Sequence, residues 1–174
     1  MALTFRTKVL MVFREPATKS EELRMRLMVK VTLIVTIAGA SLLSGCASVP
    51  MASTAEDAAA KQFTVDPDKS RIYLYRNETF GGPIKIPVTL NGRMMGQTAP
   101  NIYFVWDVAP GKQEITCIGE ENASLSIDAK PRTAYYVWQE MKMGMWSAGC
   151  ALHEVPEAEG RKAVKECKLA QGGH

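Results

Sequence analysis

Met141, Met143 and Met145 alternate at strand spacing, so an extended chain would point their three thioether sulfurs to one side, between Trp138 and Trp146 in sequence. Thioethers are soft ligands suited to Cu(I). The same unbranched side chains also fill irregular core edges, and packing is the simpler use of the row. Asp107 and Glu140 could share acid and base work only if the fold brought their carboxyls together. His153 sits in Ala151-Leu152-His153-Glu154-Val155, whose alternation fits an edge strand, and the other histidine is His174. The chain has no glycine-rich dinucleotide loop, no P-loop and no Cys-x-x-Cys pair. No catalytic residue and no cofactor is expected, and the residues favour a binding role over an enzymatic one.

The chemistry of the cysteines depends on where the chain resides. Arg24, Arg26 and Lys30 precede residues 31–43, an uncharged run of apolar and small residues that reaches Leu43-Ser44-Gly45-Cys46. A basic segment, an apolar segment and small residues at a cleavage point are the parts of a secretory signal. Its last four residues resemble the lipobox of bacterial lipoproteins. The resemblance implies a diacylglycerol on the sulfur of Cys46 and, after cleavage before it, an acyl chain on its amino group; two or more chains make a durable anchor. A membrane span would need about 20 mostly apolar residues, and here the strongly apolar part stops near Leu43. Residues 1–45 are therefore expected to be a signal peptide, with Met25 or Met28 the more natural start. Ala47 stands where an aspartate would favour retention at the inner membrane, so the outer membrane, on its periplasmic face, is the expected address.

The formal charge of +3 over 174 residues belongs to this leader. Residues 1–45 carry seven Lys and Arg against three Asp and Glu, leaving fourteen basic and fifteen acidic residues from Cys46 onward. A nucleic-acid partner, which would call for a basic patch, is not expected. The partners implied are the membrane, through lipid on Cys46, and another envelope component, protein or glycan.

With Cys46 lipidated, Cys117, Cys150 and Cys167 remain in a compartment that permits disulfides. Three thiols make one bridge and leave one over. Cys117 shares strand parity with Ile115, and Cys167 falls on the apolar face of a C-terminal helix, so Cys117 with Cys167 is the favoured pair. Cys150 with Cys167 is the competing one.

The elements follow from periodicity. Residues 47–62 are small and polar, and the stretch 46–68 reads as a flexible tether, with a short helix over 54–62 as the alternative. About sixteen flexible residues would reach roughly 20 Å. From Arg71 onward, short β-branched and aromatic runs alternate with turn residues about every ten positions, which predicts an antiparallel β-sandwich of about seven strands over 69–169. Asn91-Gly92 predicts a two-residue hairpin turn, because a type I′ turn needs positive φ at both central positions. Gly160, Ala163, Val164 and Cys167 recur at helical spacing behind Pro156, which predicts a short C-terminal helix packed by that face. Residues 170–174 are expected to be a disordered tail. Strand neighbours alternate sides, so part of the aromatic set should face away from one core. Tyr73, Tyr75, Trp106, Trp138 and Trp146 are the candidate binding surface on that basis.

With the lipobox, the segments Ser70-Arg71-Ile72-Tyr73-Leu74-Tyr75-Arg76, Leu90-Asn91-Gly92-Arg93, Val108-Ala109-Pro110-Gly111-Lys112 and Thr133-Ala134-Tyr135-Tyr136-Val137, and the tail from Glu159-Gly160-Arg161 to Cys167, resemble an uncharacterised bacterial lipoprotein group, domain of unknown function family number 2846. The similarity runs over about residues 68 to 169. It implies a β-sandwich-like lipoprotein domain without established catalytic residues. It also implies that Cys150, outside the pattern, is the free thiol.

Overall fold

A computed structural model describes Arg24 and residues 49–172, apart from 80, 81 and 83. The signal peptide over 1–45, the start at Met25 or Met28, lipidation at Cys46 and the last two residues of the tail lie outside the described residues. Among the described residues nine strands form two sheets, with one helix before the first strand and another before the last. In chain order these are α1 (Thr54–Ala60), β1 (Ser70–Arg76), β2 (Ile86–Leu90), β3 (Arg93–Thr98), β4 (Ile102–Val108), β5 (Gly111–Cys117), β6 (Ala123–Ala129), β7 (Ala134–Met143), β8 (Ala148–Val155), α2 (Glu157–Glu166) and β9 (Lys168–Leu169). One sheet has the order β8-β7-β1-β4-β9 and the other β3-β2-β5-β6. The sandwich expected from the alternating runs is therefore present. Two pairings, β1 with β7 and β4 with β9, are parallel, so the five-stranded sheet is mixed.

Alternation along β1 sends Ile72 and Leu74 toward the second sheet, where they meet Val88, Ile115, Phe104, Val137 and their neighbours in the main core. Tyr73 and Tyr75 point the other way. They are buried as well, because α1 and α2 cover that outer face and form a second core with Phe63, Tyr103, Tyr136, Val164 and Cys167. Helix α2 lies close because Gly160 presents no side chain: a Cβ there would stand 2.3 Å from Tyr136 Cβ. The sheet is thus sandwiched twice.

Residues 49–68, expected as a tether, are part of this fold. Helix α1 opens with a capping box in which the Ser53 hydroxyl accepts from Glu56 N–H and the Glu56 carboxylate accepts from Ser53 N–H. Asp57 then pins it down: Oδ1 accepts from Leu169 N–H at 2.9 Å and Tyr103 hydroxyl at 3.0 Å, and Oδ2 accepts from Lys61 Nζ at 2.8 Å. After the helix, Phe63 adopts φ 56°, which turns its ring beneath Tyr73, 5.4 Å between centroids. The expected disordered tail is likewise paired at its start, since Ala170 forms a bridge with Met51 and donates to the Tyr103 carbonyl.

The disulfide joins Cys117 to Cys150, with 6.4 Å between their Cα atoms, and Cys167 is a buried free thiol. The Cys117–Cys167 pairing, the Cys150–Cys167 alternative and the assignment of Cys150 as free thiol are all corrected by this. Cys167 does turn inward, but into the helix-covered core, whereas Cys117 faces the inter-sheet core. The five-stranded sheet lies between the two cores. Burial pushes the Cys167 thiol up to about 12.

Candidate functional site

Strand alternation and the helical cover decide where the expected site residues fall. Tyr73 and Tyr75 are buried under α1 and α2, and Trp106 is only 5% exposed between the sheets, so these three do not form a surface. Trp138 is half-buried and stacks on His153 at 5.1 Å. Trp146 is 88% exposed, and with it stand Met143 at 75% and Met145 at 83%. Met141 belongs to the core, where Arg76 Nη2 lies 3.1 Å from its sulfur. The methionine row is therefore split between a packed root and an exposed end.

That exposed end is a held structure. The Glu120 carboxylate, from the β5–β6 turn, accepts from the Trp146 N–H at 2.9 Å and the Ser147 N–H at 2.8 Å. These bonds to Ser147 and Trp146 hold the Glu120 carboxyl below the usual carboxylate range. Gly144 N–H bonds to Ser147 carbonyl, and Glu120 N–H to Ala148 carbonyl, tying the turn to the β7–β8 tip. Close by, the Cys117–Cys150 bridge links the two sheets. A groove of about 410 Å³ between the turn and the tip is lined by Glu120, Lys142, Met143 and Met145, among others. An indole and two thioethers are so presented to solvent on an anchored scaffold.

A larger cleft, about 680 Å³, lies elsewhere, along the β4 side of the first sheet. Glu56, Ala59 and Ala60 of α1 form one wall, and Leu90, Asn91, Arg93 and Met95 of the β2–β3 hairpin the other. The hairpin wall stands because Asn91 and Gly92 take φ 51° and 78°, as the turn requires. Val105, Trp106 and Asp107 lie between the walls, with Leu169 at one end. The Trp106 indole N–H has no acceptor among the described residues. Asp107 is held by a bidentate pair with Arg71, 2.6 and 2.8 Å, which keeps its carboxyl below its ordinary range.

No acid–base or metal constellation assembles from the expected residues. Asp107 pairs with β1 at Arg71, whereas Glu140 lies beyond Trp138, which is level with Tyr75 at the other end of β1. His153 Nε2 is 2.9 Å from Glu140 on the outer face of β7 and β8. Met141 and Met143 take the opposite parity on the same strand, so the histidine and the thioethers look away from one another. Among the described residues no three His, Cys, Asp or Glu side chains are grouped to hold a metal. Sequence reasoning did not single out Arg76, which is fully buried, donates to the Ile84 carbonyl and lies 3.7 Å from Glu78. Arg76 closes the apolar run of β1, and a cation in such a place is buried only when it is paired.

A family model described as "Protein of unknown function (DUF2846)" matches residues 66–150, a stretch that contains Cys117 and Cys150. A protein of Haemophilus influenzae, recorded as an uncharacterized protein, is 35% identical over 134 residues, covering 75% of this chain and 79% of that one. No solved structure matches. On the strength of this family model and of this relative, the chain belongs to the DUF2846 family.

Proposed function

We propose that this chain is a lipid-anchored, noncatalytic domain of the bacterial envelope that binds another envelope component through its 143–146 tip. The observation that carries the reading is the exposure of Trp146, Met143 and Met145 on a turn held by Glu120. Exposed apolar groups that are anchored by backbone bonds pay little ordering entropy on binding, and such clusters mark interaction sites. A protein surface suits the tip better than a glycan, because flexible thioethers beside an indole give adaptable apolar contact. The anchor is Cys46, at the periplasmic face of the outer membrane. Val49, which is buried, lies three positions after Cys46 in the sequence. A copper-handling or enzymatic role draws no support from the placement of Met143 and His153 on opposite faces.

A photo-crosslinking amino acid at position 145 of the full chain, expressed in a Gram-negative envelope, tests the tip. A discrete protein adduct that disappears with Trp146→Ser is expected. Adducts absent at 145, or unchanged by that substitution, refute it, and co-sedimentation with peptidoglycan that depends on Trp146 would assign the tip to glycan. Palmitate labelling that vanishes in Cys46→Ser tests the anchor separately.

A further inference from the structure

The five-stranded sheet is not closed on its β4 side. Ala170 N–H donates to Tyr103 carbonyl and Lys168 N–H to Asn101 carbonyl, so Tyr103 directs its peptide groups away from β1 and toward β9. Arg71 N–H bonds to Thr133 carbonyl, on the β7 side, which independently leaves Ile72 and Ser70 to pair with β4. In an antiparallel ladder a residue turns both its N–H and its C=O to the same neighbour, and the direction alternates along the strand. Val105 and Asp107 therefore point their N–H and C=O groups outward, past the end of β9. The β4–β9 register stops at Tyr103 with Leu169, and no backbone bond reaches these two residues on that side among the described residues.

These four groups face the 680 Å³ cleft between α1 and the β2–β3 hairpin. An edge of this kind is complemented by one chemistry, another extended backbone carrying donors and acceptors at the strand repeat. The fold already uses the edge so: β9 lies on its first part as a short parallel strand. The walls fit a strand as well. One set of alternate side chains would face Leu90, Asn91 and Arg93, next to Gly172, where a Cβ would stand 3.1 Å from Trp106 Nε1 and 3.3 Å from the Met95 carbonyl, and the other would meet Ala59, Ala60 and Val105. From Phe104 to Val108 the open length is about 17 Å, enough for roughly five residues. Within the cleft Arg71 is already committed to Asp107, whereas Arg93 is exposed and forms no ion pair among the described residues.

We propose that the open edge of β4 is a peptide-binding site, which takes an extended segment of a partner protein as an added strand, with an acidic side chain of that segment paired to Arg93. The site is separate from the 143–146 tip and stands or falls independently of it.

The test uses the full chain in detergent and a library of blocked pentapeptides displayed on beads. Val105→Pro is the discriminating variant. Proline is tolerated on an edge strand where its nitrogen faces outward, and it deletes one donor that the guest strand needs. Peptides enriched on the native chain should carry Asp or Glu and should bind Val105→Pro about tenfold more weakly, the loss expected for one hydrogen bond together with the steric block. Arg93→Glu, at an exposed position, should reverse the preference to Lys or Arg and serves if the proline variant does not fold. Two results overturn the proposal: no peptide enriched above background, or enriched peptides that bind both variants unchanged. A dimer of the chain that Val105→Pro dissociates would overturn it too, by giving the edge to a second copy.

Discussion

Asp57→Ala should free α1 from the sheet, and the size of the effect can be worked from its three bonds. Loss of the carboxylate leaves the Leu169 N–H without its acceptor beside β4 and removes one partner of the Tyr103 hydroxyl. Stranding a largely buried donor costs about 1 to 3 kcal/mol. Lys61 is partly exposed and keeps the Cys167 carbonyl at 2.7 Å, so its share is at most about 1 kcal/mol. Together a loss of about 2 to 3 kcal/mol is expected, which for a domain of this size lowers Tm by roughly 10 °C. The pH dependence gives the sign. Burial raises the Asp57 pKa, but the bonds from Lys61, Leu169 and Tyr103 outweigh it, and the net shift is below the ordinary 3.8. A carboxyl whose pKa falls on folding stabilises fully above its unfolded value, and the contribution fades as pH drops through the folded one. Thermal unfolding followed by circular dichroism should show the gap between native chain and variant at pH 7 and its narrowing below pH 3.8. A gap under about 3 °C at neutral pH, or one that persists unchanged in acid, would refute the role assigned to Asp57.

Gly160→Ala should destabilise by about 2 kcal/mol despite the better helix propensity of alanine, since the new methyl meets Tyr136; a rise in Tm would contradict the close helix packing. Opening the bridge with Cys117→Ser and Cys150→Ser together should cost about 3 to 4 kcal/mol by loop entropy over the 33-residue separation, read from urea midpoints. Peptide mass mapping should recover Cys117 linked to Cys150, and Cys167 should alkylate at pH 8 only after unfolding, because its buried thiol stays protonated. Trp146→Ser should shift stability by less than about 0.5 kcal/mol while removing the crosslink at 145, so a large fall in Tm would mean that the indole packs.

Seven of the nine strands are readable as alternating runs, and the 91–92 turn and the α2 face follow from positive φ and helical spacing. Strand β3 is not, because Met94, Met95 and Gly96 replace alternation with a register shift opposite Val88 and Thr89. Gly96 at φ 144° brings the backbone against Phe104, a long-range fit that no local pattern announces. Composition hides α1, whose alanines resemble a linker; Ser53 and Glu56, three residues apart, are the signal that marks it. The tyrosines and the cysteines were obscured by one circumstance. Parity says that a side chain faces inward, but this sheet has an interior on both sides, so inward did not distinguish the core of Cys117 from that of Cys167 or predict cover for Tyr73 and Tyr75.

The bridge from Met51 to Ala170 joins positions 119 residues apart, and the Asp57 bond to Leu169 spans nearly as many. Neither can form until almost the whole described chain is available. A chain growing from its N-terminus would hold α1 without its seat and β4 without β9 until the last strand arrives, and such distant pairings close slowly. On the envelope reading proposed above, this delay has a use: a polypeptide that must cross a membrane unfolded is kept from finishing its fold on the wrong side by the order in which its own residues are made.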